Sequence, residues 1–349
     1  MKLPGLIDIH VHLRDPGQTH KEDFTTGTQA ALAGGFTQVF DMPNNAQPIT
    51  TKARLDEKIA LAKKKTVIDI GFYYGSLGDN LDTFKQVQDS VFGLKLYLNI
   101  TTGHYKIDLA TVERIYRAWD SKKPILLHSE EDVIENVIDI IGKTRQPSHF
   151  CHVSSEHELS AILRAKEKGL PVTCGACPHH LFLTNDVVDS LGPYALMKPN
   201  LKSQKDVDFL WSHIQDIDVV ESDHAPHTKQ EKDSENPPFG VPGLETTLPL
   251  LVTAVHENKI EREDITRLLY DNPRRILHLP EQQNTWVEID ENERYTLSND
   301  ALKTKCGWTP FAGWNVFGKI HSVNMRGKKI YDGEAVLTKP GSGKVIDAL

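Results

Sequence analysis

The sequence predicts an α/β fold, a TIM-type (β/α)8 barrel with a small terminal appendage. Three observations lead there. Eight short apolar runs alternate with stretches of helical periodicity, the order expected of parallel β/α units. The chain has 349 residues, enough for one large core of this kind, although the same length would also hold two ordinary domains. Ionisable residues stand toward the downstream ends of the apolar runs, where such a barrel gathers its reaction site.

The first run, LIDIHVHL, places His10 and His12 one residue apart, with Arg14 next in the same phase. Period-two spacing sends all three to one face. Helical KEDFTTGTQAALAGG leads to the second run, FTQVFDM, and TKARLDEKIALAKKK to the third, TVIDIGFYY. The remaining runs are FGLKLYL, PILLHS, SHFCHV, LPVTCGA and VVESDHAP. Between and after them come DLATVERIYRAW, EEDVIENVIDIIG, SEHELSAILRAKEKG, SQKDVDFLWSHIQ and LETTLPLLVTAVHENK. TTGHYKID and CPHHLFLTNDVVDSLGPYALMKPNLKS read as loops, the second too long for a minimal connector, and long loops on this face carry binding or gating residues. After DNPRRILHLP the chain turns to short strand-like pieces, WVEID, RYTLS and GKKIYDG. The barrel is therefore expected over 1–279, and a C-terminal extension packed against it, with a small strand-containing appendage, over 280–349.

The net charge of −8 leaves no global excess of cations to draw nucleic acid or an anionic membrane surface. A small anionic substrate then needs a local cationic pocket. Cys151, Cys174, Cys177 and Cys306 are few for so long a chain, which suits a reducing compartment. Cys174 and Cys177 form a CxxC, but a closed structural zinc site needs four ligands, so ordinary buried thiols are expected there. MKLPG has no basic stretch followed by an apolar signal core, and no run of about 18 apolar residues exists to span a membrane. The expected location is cytoplasmic.

His10 and His12 on the first strand, Lys95 on the fourth, His128 on the fifth, His152 on the sixth and Asp223 on the eighth would converge at one barrel mouth. A lone histidine is ordinarily a hydrogen-bonded core or surface residue. An HxH pair on an apolar strand, joined by strand-end His, His and Asp, reads instead as a metal-ligand set. Imidazole and carboxylate suit zinc without excluding manganese, cobalt or iron. An ordinary lysine ammonium, of reference pKa roughly 10.4, has no lone pair for a cation. Lys95 therefore either snorkels to water or is carboxylated by carbon dioxide to a carbamate with two metal-binding oxygens.

The ordered set DIHVHLRDPG, DMPNN, GLKLYL, LLHSE, CHVSS and SDHAPHT, with the later PGLET, DNPRRIL and WTPFAGW, resembles the dihydroorotases of the amidohydrolase superfamily over nearly the whole chain. It is especially similar to the dihydroorotase domain of the multifunctional animal pyrimidine-synthesis protein. That resemblance implies a metal-dependent amidohydrolase barrel holding two zinc ions, bridged by N6-carboxylated Lys95 and a water or hydroxide. His10, His12 and Asp223 would serve one ion, and His128 and His152 the other. Cys151 matches a cysteine associated with an additional, third zinc. The implied reaction is reversible interconversion of N-carbamoyl-L-aspartate and L-dihydroorotate in pyrimidine synthesis, with Asp223 as proton carrier. Arg14, Asn44 and His227 would hold the substrate, and Thr101 matches a catalytic-loop threonine. The resemblance also implies a homodimer and, as partners in a larger chain or complex, carbamoyl-phosphate synthetase and aspartate carbamoyltransferase domains.

Four positions depart from the pattern. Lys198 stands where an arginine helps bind substrate, which keeps the charge and loses the planar fork. Gly175 replaces a residue that is commonly acidic, Asp15 shortens the usual glutamate after Arg14, and Thr102 replaces an aromatic that gives more apolar cover. Another cyclic-amide hydrolase, such as a dihydropyrimidinase, is the competing enzyme reading, and an inactive assembly domain the competing non-enzyme one.

Overall fold

Strands buried on both faces need nearly continuous apolar sequence, and each of the eight runs supplies it. In the computed structural model, which describes residues 1–99 and 107–348, they form a closed parallel barrel. A three-stranded sheet, β2 (Leu6–Val11), β3 (Phe36–Asp41) and β4 (Asp69–Phe72), continues through Tyr73 into β5 (Tyr74–Gly75). Only one residue separates β4 from β5, so the two act as one bent stave. The sheet then runs through β6 (Leu94–Tyr97), β7 (Ile125–His128), β8 (Ser148–Phe150), β9 (Val172–Ala176) and β10 (Val219–Val220). The ring closes where the His12 amide donates to the His224 carbonyl at 2.8 Å, beside a parallel bridge from Val11 to His224.

Seven longer helices form the outer ring: α1 (Phe24–Ala33), α2 (Lys52–Lys65), α3 (Leu109–Ala118), α4 (Val133–Thr144), α5 (Glu156–Glu167), α6 (Gln204–Ser212) and α7 (Leu244–His256). Five begin at a side-chain cap that satisfies amides left open by the first turn: Asp23, Thr51, Asp108, Ser155 and Ser203. After the third stave there are only short turns around Phe84–Val87. The site is built from the downstream strand ends and from the segments that follow β2, β3, β7, β8, β9 and β10.

The loop after β3 is pinned by a buried ion pair. Lys58 Nζ lies 2.8 Å from Asp41 Oδ2 and also donates to the Met42 carbonyl at 2.7 Å and Asn45 Oδ1 at 2.9 Å, with Lys58 and Asp41 at 0% and 1% exposure. Removing one partner strands the other charge in the interior. Lys58→Met is expected to lower unfolding stability by about 3–5 kcal/mol, read from the denaturant midpoint at unchanged slope. A shift below about 1 kcal/mol would show that water reaches Asp41.

A second, antiparallel sheet joins β1 (Lys2–Pro4) to β11 (Trp286–Thr296), β12 (Asn315–Met325) and β13 (Lys328–Tyr331). WVEID and RYTLS are one bulged strand, with register shifts after Glu288 and Asp290. β12 crosses α7 closely at Gly318, where an added Cβ would sit 2.7 Å from Val252 Cβ and φ is +90°. The chain then returns to the barrel: Ile70 N donates to Lys344 O and Ile346 N to Ile70 O. None of the described helices is long and apolar enough to cross a membrane.

Candidate active site

His10 lies on β2 and His12 just past its end, with ring centroids 5.2 Å apart. Asn44, from the loop pinned by Lys58, sets the orientation of His12. Its Oδ1 lies 2.6 Å from Nδ1, which as a donor leaves the Nε2 lone pair facing Asp223 Oδ1 at 2.9 Å. The same Oδ1 is 3.3 Å from His10 Nε2. Across the mouth, His128 Nδ1 and His152 Nε2 converge at 3.0 Å, while Glu130 Oε1 lies 3.0 Å from His128 Nε2. Three of the site's residues hold left-handed backbone uncommon for side-chain-bearing residues: Arg14 (φ 63°), His152 (φ 41°) and Asp223 (φ 43°). Such strain, of order 1–3 kcal/mol per residue, gathers at functional sites.

These groups carry the charges that a cation needs. Burial pushes the His10 imidazole down to about 4, with Lys95 adding to the effect. Burial, then His128 and Lys95, holds His152 well below its usual range, and burial lowers His128 too. Burial alone would raise the Asp223 carboxyl, but His10 and His12 beside it hold it well below the usual carboxylate range. His10, His128 and His152 held toward the neutral form, with an ionised Asp223 among them, form a ligand set. His10, His12 and Asp223 present donor atoms within 4.8 Å of one another, and His152 Nδ1 is buried without a hydrogen bond to any described residue.

Lys95 is 1% exposed on β6, and its Nζ donates to Cys151 Sγ at 3.1 Å. Cys151, His10 and Glu221 form a further group with donor atoms within 4.8 Å. His10, His12, Arg14, Asn44, His128, His152, Lys198 and Asp223 line one cavity that opens outward. Tyr97 and Phe239 complete its wall. Lys95 and Cys151 are buried beside this lining rather than part of it. Two cations therefore face a site otherwise built of imidazoles and a carboxylate, and Lys198 Nζ also sits 5.2 Å from the Phe239 ring.

His227 stands behind Arg14 rather than on the wall. It is 0% exposed, with Nε2 2.9 Å from the Phe239 carbonyl and 3.2 Å from Arg14 Nη2, and Nδ1 3.2 Å from Lys21 Nζ. Burial, then Arg14 and Lys21, keeps it neutral. Arg14 Nε donates to the Pro226 carbonyl, and its Nη2 packs against the His227 ring, so Pro226 and His227 together aim the guanidinium. Asp15 turns the other way, to Lys65 Nζ at 2.6 Å and the Phe24 amide, and so ties the loop to α1 and α2. Cys174 and Cys177 are buried free thiols. Thr101 and Thr102 lie outside the described residues.

Four contributors carry no clear signal in the sequence: Tyr97, Phe239, Glu130 and Glu221. Tyr97 looks like core in an apolar run. Glu130 and Glu221 each stand two residues from a named ligand, and that phase was the available signal.

An eight-stave barrel with this donor set at its mouth defines the class, and the chain belongs to the amidohydrolase family, whose sequence model matches residues 1–236. Within that family its branch is the dihydroorotases. The chain is 33% identical to the dihydroorotase of Pyrococcus furiosus over 365 residues, 99% of this chain and 84% of that protein. It is 42% identical over 352 residues to the multifunctional protein CAD of Squalus acanthias, covering 100% of this chain but 16% of that protein's length. Among solved structures, the L-hydantoinase (dihydropyrimidinase) of Arthrobacter aurescens superposes with a TM-score of 0.94 at 21% identity, over 99% of this chain and 89% of that one. The inactive dihydroorotase-like domain of a Chaetomium thermophilum CAD-like multifunctional protein superposes at 0.85 and 24% identity, over 99% of both chains. At those identities the two structures establish the fold alone.

Proposed function

We propose that this chain is a zinc-dependent dihydroorotase that interconverts N-carbamoyl-L-aspartate and L-dihydroorotate. The observation that carries this reading is the single cavity in which Arg14 and Lys198 face His10, His12, His128, His152 and Asp223. Amide chemistry and recognition of a free carboxylate then share one floor. His10, His12 and Asp223 would hold one zinc ion and His128 and His152 a second, with Lys95 as the carboxylated lysine between them. The additional zinc implied at Cys151 would draw on that thiol beside His10. Bound zinc supplies a water of lowered pKa and polarises the amide carbonyl.

Everything else falls to the chain. Arg14 offers a planar fork to the substrate carboxylate, aimed by Pro226 and backed by His227. Lys198 adds a point charge, and Asn44 both faces the cavity and orients His12. In ring opening, Asp223 takes the proton of the attacking water and passes it to the departing ring nitrogen; in cyclisation the proton runs the other way. Tyr97 and Phe239 give the mouth apolar cover. Arg14 and Lys198 also account for how a chain of net charge −8 binds an anion: the favourable field is local.

The proposed setting is the cytoplasm, as a homodimer, in a chain or complex with carbamoyl-phosphate synthetase and aspartate carbamoyltransferase domains. What supports the larger chain is that the match to the multifunctional protein CAD of Squalus acanthias takes up 16% of that protein's length.

Purified protein loaded with zinc should convert L-dihydroorotate to N-carbamoyl-L-aspartate at alkaline pH and run the reverse at acidic pH, followed by chromatography. Full metal occupancy with no turnover in either direction would favour the inactive assembly domain instead.

A further inference from the structure

Glu221 is an acid fully enclosed in the barrel, two residues before Asp223. Its Oε1 accepts the His152 amide at 2.5 Å, and its Oε2 lies 3.3 Å from His10 Nδ1 and 3.5 Å from His149 Nε2. Neither ring nitrogen has a hydrogen bond of full geometry to any described residue, which makes this carboxylate the one acceptor poised for both. His10 meanwhile turns its other nitrogen, Nε2, toward Asp223. A carboxylate on the far nitrogen of a ligating histidine fixes its tautomer and aim.

The neighbouring strand explains how such a group fits. Gly175 on β9 pairs with Val219 on β10, and its backbone has no positive φ that would call for glycine. An added Cβ there would lie 2.7 Å from Glu221 Cδ, 2.7 Å from Oε1 and 3.0 Å from Val219 Cγ2. Glycine inside a strand is otherwise unfavourable and marks close approach by another group. Position 175 and the Glu221 carboxylate therefore occupy one volume.

We infer that Glu221 is the positioning residue for His10 and the His152 backbone, and that Gly175 is its obligate partner. The acid expected at 175 is thus supplied from the next strand. The inference rests on His10 and His152 being zinc ligands, as proposed above.

The test uses E221A, E221Q, G175E, G175E/E221A and G175A/E221A, with zinc affinity measured by chelator competition, zinc stoichiometry, and folding by circular dichroism. E221A and E221Q are expected to bind zinc roughly 10- to 100-fold more weakly. G175E alone should be impaired by the clash. G175E/E221A should recover most of the loss, whereas G175A/E221A, which fills space without charge, should not. Parental zinc affinity in E221Q, or a G175E/E221A no tighter than G175A/E221A, would overturn the inference. So would loss of one whole ion with the others held as before, which would make Glu221 a ligand. Should E221A fail to fold, the nearly isosteric E221Q and the two double variants decide the matter. A parent that binds zinc without turning over dihydroorotate would remove the activity and leave this inference standing; a parent that binds no zinc would remove both.

Discussion

Lys95→Ala is expected to lose zinc and to lower kcat by roughly 10³-fold or more, since the metal's share of the barrier is several kcal/mol. Short carboxylic acids added at millimolar concentration should restore part of the rate. The expectation follows from where the amine sits. Lys95 is enclosed, with Cys151 Sγ at 3.1 Å, and it lies close enough to His10, His128 and His152 to help lower the basicity of all three. A protonated amine there would repel any cation those imidazoles drew in. Carboxylation reverses the sign of that charge, and an added carboxylate in the space freed by alanine can do the same. Lys95→Arg should behave worse than alanine, because it keeps the positive charge and fills the space. A Lys95→Ala variant with parental zinc content and rate would contradict this account of the residue.

Asp223→Asn should lower kcat by about 10²–10⁴-fold, the usual share of a general acid and base. The amide keeps an oxygen toward His10 and His12 but carries no proton at neutral pH. Asparagine is also a suitable probe because position 223 has φ 43°, a conformation it tolerates better than most residues. Thermal unfolding should accordingly stay near that of the parent while turnover collapses. Retention of more than about a tenth of the rate would assign the proton transfers to another group.

The barrel was legible because each strand is enclosed on both faces, so its sequence carries a nearly continuous apolar run. The same rule made the ligands visible: His10, Lys95 and His128 are polar residues where enclosure predicts aliphatic ones. The appended sheet was harder. β1 is three residues long, and β12 carries Gly318 and the buried Ser322 and Asn324, which break its alternation. Within the site, what escaped was non-local. Asp15 reads as a neighbour of Arg14 but is spent on Lys65, fifty residues away. Glu221 has meaning only beside Gly175 on another strand, and a missing side chain leaves no mark in a pattern of hydrophobicity.

One cavity is proposed to join metal-assisted amide chemistry to recognition of a carboxylate. L-dihydroorotate and dihydrouracil share the ring and differ in that carboxylate, so their kcat/KM ratio on the zinc-loaded protein reads the claim directly. Strong preference for dihydroorotate is expected, with Arg14→Met removing about 2–5 kcal/mol of it, or roughly 30- to 5,000-fold in the ratio. Equal or better turnover of dihydrouracil, unaffected by loss of Arg14, would contradict it and place the chain with the dihydropyrimidinases in function.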